Sequence, residues 1–191
     1  LDKGYNISLL GGHQFNWEYG NLLYVMNLSV PFVGIYMPIS NKILDKVFYN
    51  FRKRYGTVLI AAQDFKSKMH HVFLNQYSLG LAADQNTGEP RNAYWMNFMG
   101  KPAPFVTGPA RGAVKSNTAV VMVGFNKIKR GYYHFNTTLL AENGSMHTPQ
   151  QLTFLYKNEL EKIIRKDPAN YLWSHRRWKY DWKPEYGEIL K

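Results

Sequence analysis

Residues 7–18 of the 191-residue chain are ISLLGGHQFNWE, an apolar run followed by a glycine pair and then by polar and aromatic residues. The run Ile7–Leu10 has the length of a buried strand, and the two glycines predict a tight turn at its end. Asn16 is a favoured residue type at helix N-caps, and we expect a helix from there through Met26. The stretch therefore predicts a strand, a turn and a helix in succession.

The alternation of strand and helix patterns continues along the chain. Further strands are predicted at Val33–Tyr36, Val58–Ala62, Leu79–Ala83, Ala119–Phe125 and Tyr132–Leu139. Helices are predicted from a cap at Ser40 or Asn41 to Gly56, over Lys66–Tyr77 and Arg111–Ser116, and from a Thr148–Gln151 capping box to Pro168. The segment Asp84–Pro104 is predicted to be a long loop. These patterns predict one α/β domain over residues 1–191, with a mostly parallel twisted sheet flanked by helices.

Composition restricts the classes of partner and compartment. The net charge is +11, which favours nucleic acid, an anionic membrane surface or a phosphorylated substrate. Cysteine is absent, so there is neither a disulfide framework nor a thiolate site. No run reaches the roughly 18 apolar residues of a membrane span. Because the chain starts at Leu1 and enters a strand almost at once, we expect a fragment whose membrane anchor is absent.

His13 and Glu18 are the candidate catalytic pair. His13 is predicted in the turn and Glu18 in the first helical turn, so that the two side chains can meet. A neutral imidazole accepts a proton from a hydroxyl, and a carboxylate orients the ring and stabilises the imidazolium. The alternative at this point is a capped helix with an incidental histidine. A metal site is disfavoured, because there is no HExxH motif and no ligand-spaced histidine beyond the adjacent His70 and His71.

Four blocks carry a resemblance to a known family. GGHQFNWE resembles the His-x4-acid signature of the glycerolipid acyltransferase superfamily, and its glutamate resembles the lipid A biosynthesis lauroyl/myristoyl branch. The other blocks match that branch in order: PISNKILDKVFYNFRKRYG at 38–56, ADQN at 83–86 with FMGKPA at 98–103 and TGPAR at 107–111, and YLWSHRRWK at 171–179. Together they cover almost the whole chain.

The resemblance implies a glycerolipid acyltransferase-like fold and an O-acyl transfer. It implies an acyl carrier protein thioester as donor, a hydroxyl of a lipid A precursor as acceptor, and no cofactor. It also implies the cytoplasmic face of the inner membrane of a Gram-negative bacterium. His13 is then the general base that activates the hydroxyl for direct attack, and Glu18 is its orienting partner. The family often has a basic residue where this chain has Met37, a departure that affects the acceptor.

Three arginines are candidate substrate contacts on the enzyme. Arg52 and Arg54 are expected either to contact head groups, acceptor phosphates or the carrier protein, or simply to complement a helix C-terminus. Arg111 is expected either to bind a phosphate through its planar fork or to pair with an internal carboxylate such as Asp84.

Four more candidates lie in the later blocks. Asp84 and Gln85 are expected either to position the acceptor or to stabilise a turn at the strand end. Arg176 and Arg177 are expected either to contact substrate phosphate or membrane, or to stack on neighbouring tryptophans.

Other functions remain open from the sequence alone. A lysophospholipid-type acyltransferase would use the same chemistry. Binding of nucleic acid suits the charge and the aromatic content, but no RRM, zinc-finger or helix-turn-helix signature is present, and nucleic acid is not the expected partner. A non-catalytic protein of the membrane surface is the third alternative.

Overall fold

A computed structural model of the protein describes residues 1–14, 16–72 and 74–191. Its strands are β1 (Ile7–Gly11), β2 (Phe32–Tyr36), β3 (Val58–Ala61), β4 (Ser78–Ala82), β5 (Tyr94–Phe98), β6 (Lys101–Phe105), β7 (Ala119–Lys129), β8 (Tyr132–Ala141) and β9 (Ile189–Leu190). Its α-helices are α1 (Trp17–Asn27), α2 (Lys42–Lys53), α3 (Phe65–Val72), α4 (Gly108–Lys115) and α5 (Pro149–Lys166).

The larger sheet is mostly parallel, which confirms the predicted α/β class. Its strand order is β3-β2-β4-β1-β7-β8, and only the hairpin of β7 and β8 pairs antiparallel. β1 lies between β4 and β7, and its burial on both faces explains its continuous apolar run. The carboxyl ends of β1 to β4 therefore meet at one edge, where open α/β sheets place ligand crevices.

Apolar layers cover both faces of the larger sheet. On one face Leu10 packs in a cluster with residues of α4, α5 and the smaller sheet β6-β5-β9. On the other face Leu9, Phe32 and Val123 pack against Tyr24 of α1 and other apolar side chains. The alternation of Leu9 and Leu10 between the two layers follows from the two-residue period of a strand.

The predicted loop Asp84–Pro104 is wrong, because it contains β5 and most of β6, which pair antiparallel. Pro102 and Pro104 lie on β6, and β6 is an edge strand, where a missing backbone N–H is tolerated. Because prolines are typical of loops, the sequence pattern did not indicate this strand. Trp95 and Phe98 of β5 are buried in the core.

The helix predicted over Lys66–Tyr77 is shorter in the structure. It ends at Val72, and Phe73 lies outside the described residues. Tyr77 instead packs with Met69 and Leu79 in a buried cluster beneath α3.

Two of the predicted helix caps are confirmed and one differs. The side chain of Asn41 accepts from two backbone N–H groups of α2, and Thr148 and Gln151 form the predicted capping box of α5. Asn16 precedes α1 but has a left-handed φ of 62°, and its side chain donates to the hydroxyl of Tyr133 at 3.0 Å instead of capping. Asn is one of the few residue types that tolerates this conformation. None of the described helices has the length and apolar character needed to cross a membrane.

Candidate active site

His13 lies in the turn that follows β1, at the carboxyl edge of the sheet. The preceding residue, Gly12, packs against α5 so closely that a Cβ there would lie 2.8 Å from Cδ1 of Leu160. The glycine therefore allows the turn to approach α5, and this approach fixes the backbone from which His13 projects.

The carboxylate of Asp84 contacts both the side chain and the backbone of His13. Nδ1 of His13 lies 2.6 Å from Oδ1 of Asp84, and the backbone N–H of His13 donates to Oδ2 at 2.8 Å. Asp84 is only 1% exposed. Burial by itself would raise the pKa of the Asp84 carboxyl, but the hydrogen bonds and the charge of His13 outweigh burial and place that pKa below its ordinary value. The buried carboxylate is therefore ionised near neutral pH and can accept a hydrogen bond from Nδ1–H of His13.

The second ring nitrogen of His13, Nε2, is available to a ligand in the cleft. When Nδ1 donates to Asp84, Nε2 of a neutral imidazole carries a lone pair and can accept a proton. No described residue hydrogen-bonds Nε2 of His13, and the histidine lines the cleft defined below. The ring edge of Trp17 packs beside His13, with ring centroids 5.0 Å apart.

The predicted contact of Glu18 with His13 is not formed. Glu18 accepts instead from the guanidinium of Arg52, with Nε to Oε2 at 3.0 Å and a second bond from Nη2 to Oε1. The hydrogen bond that Arg52 donates to Glu18 is the main cause that raises the pKa of Arg52 above its ordinary value. β4 is the parallel neighbour of β1, so that the residues following the two strands lie side by side and Asp84 reaches the imidazole.

A cleft of about 500 Å³ opens beside His13. We call it the active-site cleft. His13, Glu18, Arg52 and Gln85 form its polar wall, and the apolar wall comes mainly from Leu9, Trp17, Tyr24, Phe32, Ile35, Leu59, Leu81, Val123, Phe125, Phe135 and Leu172. A cleft with one polar side and a long apolar side suits a ligand with a reactive polar group and a hydrocarbon chain.

Two adjacent glycines form part of the floor of the cleft. Gly34 of β2 and Gly80 of β4 are paired in register and both line the cavity. A Cβ at Gly80 would lie 2.5 Å from Cζ of Phe32, so only glycine fits beneath that ring. The missing side chain at Gly80 thus lets the ring of Phe32 lie against β4, where the ring also lines the cleft.

Residues distant in sequence anchor the His13 turn. The carbonyl oxygen of His13 accepts from the backbone N–H of Leu172 at 3.0 Å, and Gln14 forms an isolated antiparallel bridge with Tyr171. The hydroxyl of Tyr156 donates to the carbonyl of Gly11 at 2.9 Å, and burial raises the pKa of Tyr156, which keeps this hydroxyl protonated. Tyr156 was not predicted as a site residue, because its spacing on α5 is that of any core aromatic.

Arg177 packs inside the protein and is not exposed for the predicted contact with substrate. It is 1% exposed, and its guanidinium donates to Oδ1 of Asn86 at 2.9 Å and lies 4.3 Å from the ring centroid of Phe105. Burial lowers the pKa of Arg177. Nε2 of His175 also accepts from the backbone N–H of Asn86, at 3.4 Å. The basic C-terminal block therefore holds the segment that directly follows Asp84.

The remaining predicted residues divide into two groups. Gln85 is exposed and lines the cleft next to Asp84. Arg54, Arg111 and Arg176 are exposed and are not among the described residues that line the cleft. The predicted pairing of Arg111 with Asp84 is wrong: Nε of Arg111 donates to the hydroxyl of Tyr94 at 3.4 Å, since Asp84 is buried against His13.

No metal centre emerges from the part of the chain that the structure describes. Within residues 1–14, 16–72 and 74–191, no three His, Asp or Glu side chains converge closely enough to hold a metal ion. The adjacent His70 and His71 stack on each other, with ring centroids 3.8 Å apart.

Fold and site together define an α/β protein with a buried histidine–carboxylate pair at the carboxyl edge of a parallel sheet, facing a largely apolar cleft. The family model described as bacterial lipid A biosynthesis acyltransferase matches residues 1–180. The chain therefore belongs to this acyltransferase family.

Three curated relatives agree with this assignment at low identity. The chain is 24% identical over 174 residues to a lipid A biosynthesis palmitoleoyltransferase of Escherichia coli (strain K12), covering 91% of this chain and 56% of that protein. Identity and coverage are the same for a lipid A biosynthesis acyltransferase of Shigella flexneri. A third, from Haemophilus influenzae, is 25% identical over 177 residues, covering 91% of this chain and 55% of that protein. The chain thus spans little more than half the length of these relatives.

Proposed function

We propose that this chain moves a fatty acyl group from an acyl carrier protein thioester to a hydroxyl of a lipid A precursor, at the cytoplasmic face of the inner membrane. The observation that carries the proposal is the His13–Asp84 pair at the polar end of a cleft whose other walls are apolar. Family membership supplies the class of reaction and the lipid A context.

Proton transfer to His13 is the first step. Nε2 of His13 accepts the proton of the acceptor hydroxyl while the hydroxyl oxygen attacks the thioester carbonyl carbon. Asp84 keeps the proton of the ring on Nδ1 and stabilises the imidazolium that forms. In this proposal Asp84 has the orienting role that the motif alone had suggested for Glu18.

Attack produces a tetrahedral oxyanion, which collapses by breaking its carbon–sulfur bond. The departing sulfur takes the proton from Nε2, so that the products are the acylated hydroxyl and the free thiol of the carrier protein. In this proposal the transfer is direct: the acceptor hydroxyl itself attacks the thioester, no acyl-enzyme is required, and the chain has no cysteine that could form one through a thioester.

Glu18 acts through Arg52 in this mechanism and is a positioning residue. Arg52 is the only arginine or lysine among the described residues that line the cleft. The two hydrogen bonds that Arg52 donates to Glu18 fix the plane of the guanidinium. A guanidinium held in this way favours negative charge in the cleft, either the oxyanion or an acceptor phosphate.

In this proposal the acyl chain and the acceptor contact different parts of the protein. The acyl chain fits the apolar wall of the cleft, which includes Phe32 and Leu59. Gln85, at the rim, is placed to hydrogen-bond a polar acceptor. The exposed arginines Arg54 and Arg176, with the net charge of +11, favour a phosphorylated acceptor and an acidic carrier protein.

The test is an acyl-transfer assay on the protein in detergent, with an acyl carrier protein thioester and a lipid A precursor, read by product mass. We expect a gain of one acyl group, and its loss in His13→Ala. His134→Ala is the matched control, because that histidine lies on β8 away from the cleft. Transfer only to a lysophospholipid would assign the lysophospholipid-type alternative. Transfer to neither acceptor, or undiminished transfer by His13→Ala, would overturn the proposal.

A further inference from the structure

The orientation of α2 is the reverse of that expected for a helix on the surface of a globular protein. Its half-buried residues are Asp45, Tyr49 and Arg52, which share one face because they are spaced by four and three positions. No residue of α2 is buried. The helix therefore rests on the protein by its polar side.

Each of these three residues has a specific contact with the body of the protein. Asp45 accepts from the backbone N–H of Ile39 at 2.7 Å, and Arg52 pairs with Glu18 at the wall of the cleft. The ring of Tyr49 lies 6.0 Å from that of Tyr36 at the end of β2, centroid to centroid. These contacts fix the rotation of α2 about its own axis.

The opposite side of α2 is an exposed apolar face. Ile43, Val47 and Phe51 follow helical spacing and are 77%, 57% and 49% exposed, and Leu44 and Phe48 beside them are also exposed. An amphipathic surface helix normally turns such a face towards the core. We call the set Ile43, Leu44, Val47, Phe48 and Phe51 the α2 apolar face.

Cations surround the α2 apolar face. Residues 42–54 contain five basic side chains, Lys42, Lys46, Arg52, Lys53 and Arg54, against the single carboxylate of Asp45. All but Arg52 among these cations are exposed. A helix with a basic polar side and a face of Phe, Leu and Ile is typical of those that lie in the plane of a membrane interface.

We propose that the α2 apolar face inserts into the head-group region of an anionic bilayer and turns the mouth of the active-site cleft towards it. Arg52 belongs both to α2 and to the wall of the cleft, so α2 borders the cleft. Met37, which also lines the cleft, is 74% exposed and extends the apolar surface. The second half of this inference rests on the proposed function, since it lets a lipid acceptor enter from the membrane.

Charge selects an anionic lipid surface over a second copy of the chain as the occupant. Two copies meeting through their α2 apolar faces would bring two such clusters of cations together, which costs electrostatic energy. An anionic lipid surface instead attracts each lysine and arginine near it.

The test is flotation of the chain with vesicles. Vesicles of phosphatidylethanolamine with phosphatidylglycerol are compared with vesicles of phosphatidylcholine alone. The variant Ile43→Ser/Val47→Ser/Phe51→Ser removes the centre of the α2 apolar face. Its matched control is Ile128→Ser/Leu139→Ser/Met146→Ser, because these residues are 69%, 61% and 81% exposed elsewhere on the surface. Lys42→Gln/Lys46→Gln tests the charge without touching an apolar residue.

We expect the wild type and the control to float with the anionic vesicles. We expect the partition coefficient of the triple α2 variant to fall by roughly ten-fold or more. The lysine variant should lose part of its binding to anionic vesicles, and unchanged circular dichroism would show that both variants are folded. Wild type that does not float, or a triple α2 variant that floats like the control, would overturn the proposal. A dimer in sedimentation that the triple α2 variant converts to a monomer would assign the face to a second copy.

Transfer to a detergent-dispersed acceptor separates this inference from the proposed function. Retained transfer in detergent by a triple α2 variant that no longer floats supports both. Vesicle binding that depends on the α2 apolar face, in a protein without transfer activity, supports membrane insertion and overturns the acyltransferase assignment with the orientation that rests on it.

Discussion

Nδ1 of His13 lies 2.6 Å from Oδ1 of Asp84, although 71 positions separate the two residues in the chain. The contact exists because β1 and β4 are parallel neighbours, so that the residues just beyond their carboxyl ends meet. The same carboxylate also accepts the backbone N–H of His13, and the pair is thus fixed in two directions. The two members of the pair thus come from different blocks of the sequence.

Substitution Asp84→Asn should greatly reduce transfer. The amide cannot stabilise an imidazolium and disturbs the proton on Nδ1, so we expect kcat/KM to fall by about 10²- to 10⁴-fold. Asp64→Asn, whose carboxylate is paired with Lys68 on the surface, is the control. The pH dependence of the residual rate should also change, which a purely structural loss would not produce. A decrease of less than ten-fold in a folded Asp84→Asn protein would remove Asp84 from the mechanism.

Glu18 and Arg52 should behave as one unit in a double-mutant cycle. The side chains of Glu18 and Arg52 are each 21% exposed, and two hydrogen bonds join them. We expect Glu18→Gln and Arg52→Gln to reduce transfer, and the double variant to be little worse than the worse single variant. The coupling free energy should be about 1–3 kcal/mol. If Glu18 acted on His13 directly, the two losses would instead add.

Gly12→Ala should destabilise the protein, while Gly11→Ala should not. The new Cβ at position 12 would lie 2.8 Å from Cδ1 of the fully buried Leu160, whereas nothing lies within 4 Å of a Cβ at position 11. We expect a loss of about 1–3 kcal/mol in the free energy of unfolding for Gly12→Ala, measured by urea denaturation. Equal stability of the two variants would show that the turn can move away from α5.

Acid stability should depend on Asp84. Its folded pKa lies below the ordinary value of 3.8, so the ionised carboxylate contributes stability at pH values above 3.8. That contribution is lost as the pH falls through the lower, folded pKa. The groups that face the carboxylate are His13, Tyr156, Tyr171 and Arg177. We expect Asp84→Asn to be less stable than wild type at pH 6 but to lose less stability as the pH falls below 3.8, measured by thermal denaturation. Parallel curves for the two proteins would contradict this.

Local chemistry accounts for what the sequence predicted well. The strand Ile7–Leu10, the glycine turn and the helix after it are fixed by residues that are neighbours in the chain. The same holds for the cap at Asn41 and the capping box at Thr148. Each of these features depends on hydrogen bonds or burial within a few positions, and periodicity and cap chemistry report such features directly.

The features that the sequence did not predict depend on the order of the strands in the sheet and on how deeply each residue is buried. No local pattern shows that β4 pairs with β1, and so Glu18, the nearest carboxylate along the chain, was assigned to His13 in place of Asp84. Arg177 reads as a surface cation, and only the packing of the C-terminal segment over Phe105 shows that it is buried. The prolines of β6 look like loop residues because their tolerance depends on β6 being at the edge of its sheet.

The dependence of the His13 turn on Leu172 and Tyr171 has a consequence for how the protein is made. A ribosome releases β1 and His13 long before it releases the segment whose N–H group binds the carbonyl of His13. Domains fold as units once enough of the chain has emerged. A nascent chain that still lacks Leu172 therefore contains His13 and Asp84 but has no partner for the carbonyl of His13. We therefore expect the His13 turn to reach its final position only after the C-terminal segment has left the ribosome.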